Sequence, residues 1–227
     1  MTYYNEDCIA GCAAHYADNS VDVLFADPPF GLPYEGREPG FYRRKPELVL
    51  EGYEEVPPAN YKHFTEQWLA QAFRVLRLDG LLIIMSGFNH LGEVLQSARQ
   101  CGFHLLTDVV WKYQFGVYTR RKYVTSHIHV LFLTKLEYTT HYKLERYVIC
   151  ANQLLRTWGS VWNIPRIYAP GVRKNWTRLP DALVIRLLQL SIEHRSLLRQ
   201  LWRRPPTVEP VVFVDLFLGS FVTVALA

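Results

Sequence analysis

Apolar positions along the chain fall into short runs with two different periods. Thr2–Glu6 reads as a short strand, and Cys8–His15 as a short helix entered by a turn at Asp7. Val21-Asp22-Val23-Leu24-Phe25-Ala26 is an apolar run of strand length, set off by the turn signal Asp18-Asn19-Ser20. The stretch from Gly31 to Asn60 is broken by Gly36, Gly40 and Gly52 and by Pro33, Pro39, Pro46, Pro57 and Pro58, and reads as a long loop. Phe64, Trp68, Leu69, Ala72, Phe73, Val75 and Leu76 recur at helical spacing and predict a helix over Tyr61–Leu78, stopped by Asp79-Gly80. Leu81–Met85 is wholly apolar, as strands buried on both faces tend to be. A helix over Phe88–Gln100, closed by Gly102, precedes strands over Phe103–Lys112 and Ser126–Thr134. Tyr138–Pro170 is less regular. A helix over Pro180–His194 places Leu183, Leu187, Leu188 and Leu190 on one face; Arg195–Pro210 is a basic, proline-marked connector, and Val211–Val214 the last strand. Strands alternating with helices predict a doubly wound α/β sheet.

Composition narrows this only slightly. A hydrophobic fraction of 49% over 227 residues supports a packed core rather than disorder. The formal charge of +4 permits a nucleic-acid partner without requiring one. Cys8, Cys12, Cys101 and Cys150 show no zinc-ligand spacing and read as reduced thiols, so no metal is expected. His127 and His129 share a strand face with no third ligand nearby, which favours a structural role. The N-terminus has neither a basic nor an apolar leader segment, and no run is long enough to span a membrane. The expectation is a soluble cytoplasmic protein.

Candidate chemistry gathers at Asp27-Pro28-Pro29-Phe30, directly after the first strong strand. Open α/β sheets place ligands at the carboxyl ends of their strands. Two prolines fix φ and remove two N–H donors, leaving carbonyls free to accept. An acid, a rigid row of acceptors and an aromatic ring together suit a planar group bearing an exocyclic NH2. A Pro-Pro turn with a locally capping Asp is the competing reading.

Other stretches join it in a fixed order. Asn5-Glu6-Asp7-Cys8 resembles the N-G-D opening of amino-directed DNA methyltransferases, and Asp18–Phe30 resembles their catalytic strand and loop. Trp111-Lys112 resembles a later catalytic strand, and Val161-Trp162-Asn163-Ile164-Pro165 resembles a V-W-x-I-P stretch. Asn175–Leu183 resembles H-P-T-Q-K-P-x-x-L at Thr177, Pro180 and Leu183, and Asp215–Ser220 resembles the D-x-F-x-G-S cofactor loop. With the catalytic motif first and the cofactor loop last, the chain resembles the permuted β-type S-adenosylmethionine-dependent N6-adenine/N4-cytosine family.

That resemblance implies a mostly parallel sheet of the class I methyltransferase, Rossmann-like type. It implies one domain over residues 1–227, with 31–60 as a substrate-side loop and 138–178 as a target-recognition or connector region. Asp27, Pro28, Pro29 and Phe30 would be catalytic, acting on a base flipped out of DNA. Asp7, Cys8, Thr177, Asp215, Phe217, Gly219 and Ser220 would hold S-adenosylmethionine. DNA would meet aromatic-interleaved basic clusters: Arg43, Arg44 and Lys45; Arg120, Arg121 and Lys122; and Arg173 and Lys174. Solvated charged loops are the competing reading of those clusters. Adenine N6 is the expected target, with cytosine N4 as the alternative.

Two departures accompany the match. Phe221 stands where the family has a second glycine, and a final helix, strand and acidic ribose-binding residue do not follow. The resemblance therefore implies a fold truncated on its cofactor side. A catalytically impaired DNA-binding relic or subunit is the alternative function. A homodimer, a completing partner chain and a companion restriction nuclease stay open as partners.

Overall fold

A computed structural model describes residue 2 and residues 4–31, 55–114, 123–136, 159–166, 179–201 and 211–217, the last nine residues of 179–201 as backbone alone. Six strands form one sheet. They are β1 (Val21–Ala26), β2 (Leu76–Ser86), β3 (His104–Lys112), β4 (His127–Thr134), β5 (Val161–Asn163) and β6 (Phe213–Asp215), in the order β5-β3-β4-β2-β1-β6. Strand β1 is parallel to β2 and β6, and β3 is parallel to β5. Strand β4 is antiparallel to both of its neighbours, β2 and β3. Every strand but β4 therefore runs the same way, and five carboxyl ends share one edge.

Helices cover both faces, which is why the inner strands are apolar throughout. Side chains alternate across a strand. Leu24 and Ala26 of β1 and Leu82 and Ile84 of β2 pack with Cys12 of α1 (Cys8–His15), Trp68, Leu69 and Ala72 of α2 (Pro58–Val75), and Val94 and Ala98 of α3 (Leu91–Gln100). Val23, Phe25, Leu81, Ile83 and Met85 face the other way, onto Leu183, Val184 and Leu187 of α4 (Asp181–Leu201). Trp111 and Trp162 fill that second layer.

Several boundaries differ from the sequence reading, each for a local reason. The described residues of 2–6 form no strand. Tyr4 stacks on His15 with ring centroids 3.7 Å apart, and Glu6 meets His15 at 2.6 Å, so the segment lies along α1 instead. Helix α2 starts at Pro58, inside the predicted loop, and ends at Val75 rather than Leu78. Asp79-Gly80 does not stop a helix but lies within β2. Leu76 is fully buried opposite Val21, and Arg77 reaches back to Asp22 at 2.9 Å, so residues 76–77 are already extended. Helix α3 begins three residues after the predicted Phe88, because Gly87–His90 form the turn used by the site below. Helix α4 continues past His194 to Leu201, since Arg195–Gln200 are good helix formers and the first proline comes only at Pro205.

Among the described residues no helix is long and apolar enough to cross a membrane, and no His/Cys/Asp/Glu cluster could hold a metal ion. His127 and His129 do share a face, with ring centroids 5.3 Å apart, and His129 Nδ1 lies 2.9 Å from Asp108.

Candidate active site

Strand β1 ends at Ala26, so Asp27 emerges at the edge where five strands terminate. Pro28 is buried, while Asp27, Pro29 and Phe30 are half-buried. The next residue, Gly31, has φ +62°, a left-handed conformation that suits glycine. A Cβ there would lie 2.4 Å from Cδ2 of the buried Tyr61 ring. This turn is held from both sides. Glu55 accepts from the Gly31 amide at 3.0 Å and from the Phe30 amide at 3.4 Å. His90 Nε2–H donates to the Gly31 carbonyl at 3.0 Å, while its Nδ1 lies 2.6 Å from Glu93. Tyr61 stacks on the His90 ring with centroids 4.3 Å apart. The Phe30 ring lies over Gly87 and packs against the cluster containing Trp111, Tyr113 and Ile164.

Asp215 ends β6 beside Asp27. It pairs with Phe25 of β1, and the Leu216 amide donates to the Phe25 carbonyl at 3.0 Å. The Asp215 side chain accepts from the Phe217 amide at 3.0 Å. The Phe217 ring turns back onto Trp68, with centroids 5.7 Å apart, and onto Phe64 at 6.1 Å. Two acids at adjoining strand ends repel each other's charge. Burial, then the Asp215 carboxylate, push the Asp27 carboxyl up to about 7, while the Arg166 guanidinium opposes them.

The structure brings Asp27, Phe30 and Asp215 to one edge. Asp7 caps α1, its Oδ1 accepting from the Ile9 and Ala10 amides at 3.0 Å each. Cys8 packs against the same core layer as Phe217. Burial, then the neighbouring charges of Asp7 and Cys12, push its thiol up to about 12, so it is a neutral packing group. Thr177, Gly219 and Ser220, and the basic residues Arg43, Arg44, Lys45, Arg120, Arg121, Lys122, Arg173 and Lys174, lie outside the described residues. So does most of the expected loop at 31–60 and of the region at 138–178.

Glu55, His90 and Arg166 are site residues that the sequence reading missed. Glu55 and His90 act on a backbone 24 and 59 residues away, which no local pattern reveals. Arg166 had a signal, since it directly follows Val161–Pro165.

A family model described as DNA methylase, for N6/N4 methyltransferases, matches residues 21–227. The chain belongs to this family. This chain is 24% identical over 184 residues to the type II methyltransferase M.HpaI of Haemophilus parainfluenzae, a match covering 77% of this chain and 54% of the relative. It is 29% identical over 111 residues to the type II methyltransferase M2.MboI of Moraxella bovis, covering 48% of this chain and 40% of the relative. The chain thus matches about half the length of these relatives, or less. In fold it resembles the cytosine-N4-specific PvuII DNA methyltransferase, with TM-score 0.63 and 14% identity over 99% of this chain and 76% of the other. It also resembles M1.HpyAVI, solved as a complex with S-adenosylmethionine, with TM-score 0.54 and 13% identity over 98% of this chain and 84% of the other. Both solved structures carry the class I methyltransferase architecture.

Proposed function

We propose that this protein transfers a methyl group from S-adenosylmethionine to the exocyclic amino nitrogen of a base flipped out of DNA, adenine N6 in the first instance. The observation that carries this is the clamped Asp27–Gly31 turn beside Asp215, at the carboxyl edge of the sheet. A base amino group is a poor nucleophile because its lone pair is delocalised into the ring. The Asp27 carboxylate accepts one of its N–H groups, and the carbonyl of Pro28 or Pro29 accepts the other. Those acceptors draw the nitrogen toward tetrahedral geometry, and their effect grows as charge develops. The proton shed as the nitrogen–carbon bond forms passes to Asp27 or to water. Phe30 offers a stacking face for the extruded base.

S-adenosylmethionine, when bound, would supply the methyl from a positively charged sulfonium, its sulfur–methyl bond breaking to leave a neutral thioether. Paired carboxylates at adjoining strand ends, Asp27 and Asp215, fit such a cation. Asp7, Cys8, Thr177, Asp215, Phe217, Gly219 and Ser220 would hold it, by resemblance to the family. The basic clusters within 31–60 and near 120 and 173 would meet phosphate. The type II names of M.HpaI and M2.MboI favour a restriction-modification setting with a companion nuclease.

The test is incubation with unmethylated DNA and labelled S-adenosylmethionine, followed by mass spectrometry of the nucleosides. N6-methyladenine, absent with Asp27→Asn, is the expected product. N4-methylcytosine alone would overturn the choice of base, which the PvuII likeness keeps in view. Phe221, standing where the family has glycine, supports a second reading as a DNA-binding relic. DNA binding without calorimetric binding of S-adenosylmethionine would favour that reading.

A further inference from the structure

Arg166 stands just beyond β5, outside every motif used above. The strap that carries it is fixed at two points. Trp111 Nε1–H donates to the Ile164 carbonyl at 2.8 Å, and the Ile164 amide donates to the Lys112 carbonyl at 3.1 Å. The guanidinium is thereby laid over two rings, 4.1 Å from the Tyr113 centroid and 5.7 Å from that of Trp111. Among the described residues its buried Nε has no hydrogen-bond partner, and no Asp or Glu forms an ion pair with it.

A guanidinium is permanently charged and can only donate. Aromatic faces stabilise its charge but leave its in-plane donors unanswered. Buried donors in folded proteins are nearly always paired, so an orphan beside a reaction site points to a ligand acceptor. Phe30 packs against the cluster that holds Trp111, Tyr113 and Ile164, and the positive charge of Arg166 is felt at Asp27. A carboxylate that accepts and a guanidinium that only donates thus lie within electrostatic reach of each other, and no ion pair joins them among the described residues. A base amino group beside a ring nitrogen offers a donor and an acceptor side by side, which complements the two. We propose that Arg166 donates to the ring nitrogen adjoining the target amino group and so selects the base that Asp27 holds.

This assignment rests on the DNA amino-methylation reading and is tested by a chemical double-mutant cycle. Duplexes carry adenine, 7-deazaadenine or 1-deazaadenine at the target position. Each analogue keeps the amino group and loses one flanking nitrogen. Wild type should lose roughly ten- to a hundredfold in kcat/KM on one analogue, the scale of a hydrogen bond to a charged donor. Arg166→Met should lose a similar factor on adenine and nothing further on that analogue. Arg166→Lys, which keeps the charge without the planar fork, should recover part of the loss. A purely structural role would lower Arg166→Met equally on all three duplexes, and that result overturns the assignment. No deaza penalty in the wild type overturns it as well. Absence of wild-type transfer to adenine DNA would sink the functional reading and this one together, whereas normal transfer with the full penalty retained in Arg166→Met sinks only this one.

Discussion

The carboxylate of Glu55 meets the amide of Gly31 at 3.0 Å, across 24 residues of chain, and reaches the Phe30 amide at 3.4 Å with its other oxygen. Both amides belong to the turn that carries Asp27, so Glu55 fixes the direction in which that turn's carbonyls and the Phe30 ring point. Hydrogen bonds to a charged group contribute about 1.5–3 kcal/mol, and misplacing reacting groups is costly. Glu55→Ala should therefore lower single-turnover methyl transfer by roughly tenfold or more. S-adenosylmethionine affinity should stay near wild type, because Asp215 and Phe217 are untouched. Glu55→Gln, which keeps an acceptor, should retain part of the rate. Unchanged turnover in Glu55→Ala would sink the clamp.

Gly31 and Gly92 make a paired test of backbone freedom. An alanine Cβ at Gly31 would need φ +62° and would sit 2.4 Å from Tyr61 Cδ2 and 2.9 Å from His90 Cδ2. Tyr61 is only 1% exposed and has nowhere to move. Gly31→Ala should cost about 1–3 kcal/mol in urea unfolding. Gly92 lies within α3 with nothing within 4 Å of its virtual Cβ, so Gly92→Ala should stabilise by about 0.5–1 kcal/mol. Equal effects at the two sites would refute the account.

The pH dependence follows from Asp27. Burial and the Asp215 charge hold its folded carboxyl at about 7, above the usual carboxylate value of about 4. Between those values the folded chain binds a proton that the unfolded chain has lost. This group's contribution to stability therefore falls as pH rises through that window and levels off above it. Besides burial, Asp215 on β6 raises the upper end of that window, and Arg166 on the strap after β5 lowers it. Asp27→Asn should raise the melting temperature relative to wild type, by more at pH 8 than at pH 5, while transferring no methyl at any pH. Wild-type transfer should rise with pH as the carboxylate forms. A melting difference that does not grow from pH 5 to pH 8 would contradict the assignment.

What the sequence made legible is contiguous along the chain. Val21–Phe30 shows both a strand and the turn at its carboxyl end, because apolar continuity and the Pro-Pro constraint act within ten residues. Helix α1 matched at both ends because its cap, Asp7, adjoins it. The boundaries that were missed depend on partners far away in sequence. Leu76 joins the sheet because Arg77 finds Asp22, 55 residues earlier, and Tyr4 leaves it because His15 offers a ring. The same holds at the site, where Asp27 announces itself while Glu55, His90 and Arg166 act through backbone or through space.

Asp22 links strand pairing to the site and supports a further prediction. It is a buried acid at the start of β1, bonded through Oδ1 to Arg77 at 2.9 Å and through Oδ2 to the Val212 amide at 2.9 Å. The Asp22 and Val23 amides return bonds to the Val212 carbonyl at 3.0 and 3.1 Å. Residue 212 is thus fastened to β1 just before β6, and β6 carries Asp215 to the sheet edge beside Asp27. Asp22→Ala removes that fastening and leaves an amide without its acceptor, at a cost of about 1–3 kcal/mol. Arg77→Met should cost less than removing a fully enclosed partner, because the guanidinium is partly solvated and water screens the pair. Hydrogen exchange should show the Val212–Asp215 amides losing protection in Asp22→Ala while the centre of β2 keeps its own. S-adenosylmethionine affinity should fall alongside, as Asp215 loses its register beside Asp27. If β6 exchange and affinity both stay at wild-type values, Asp22 is not what seats that strand.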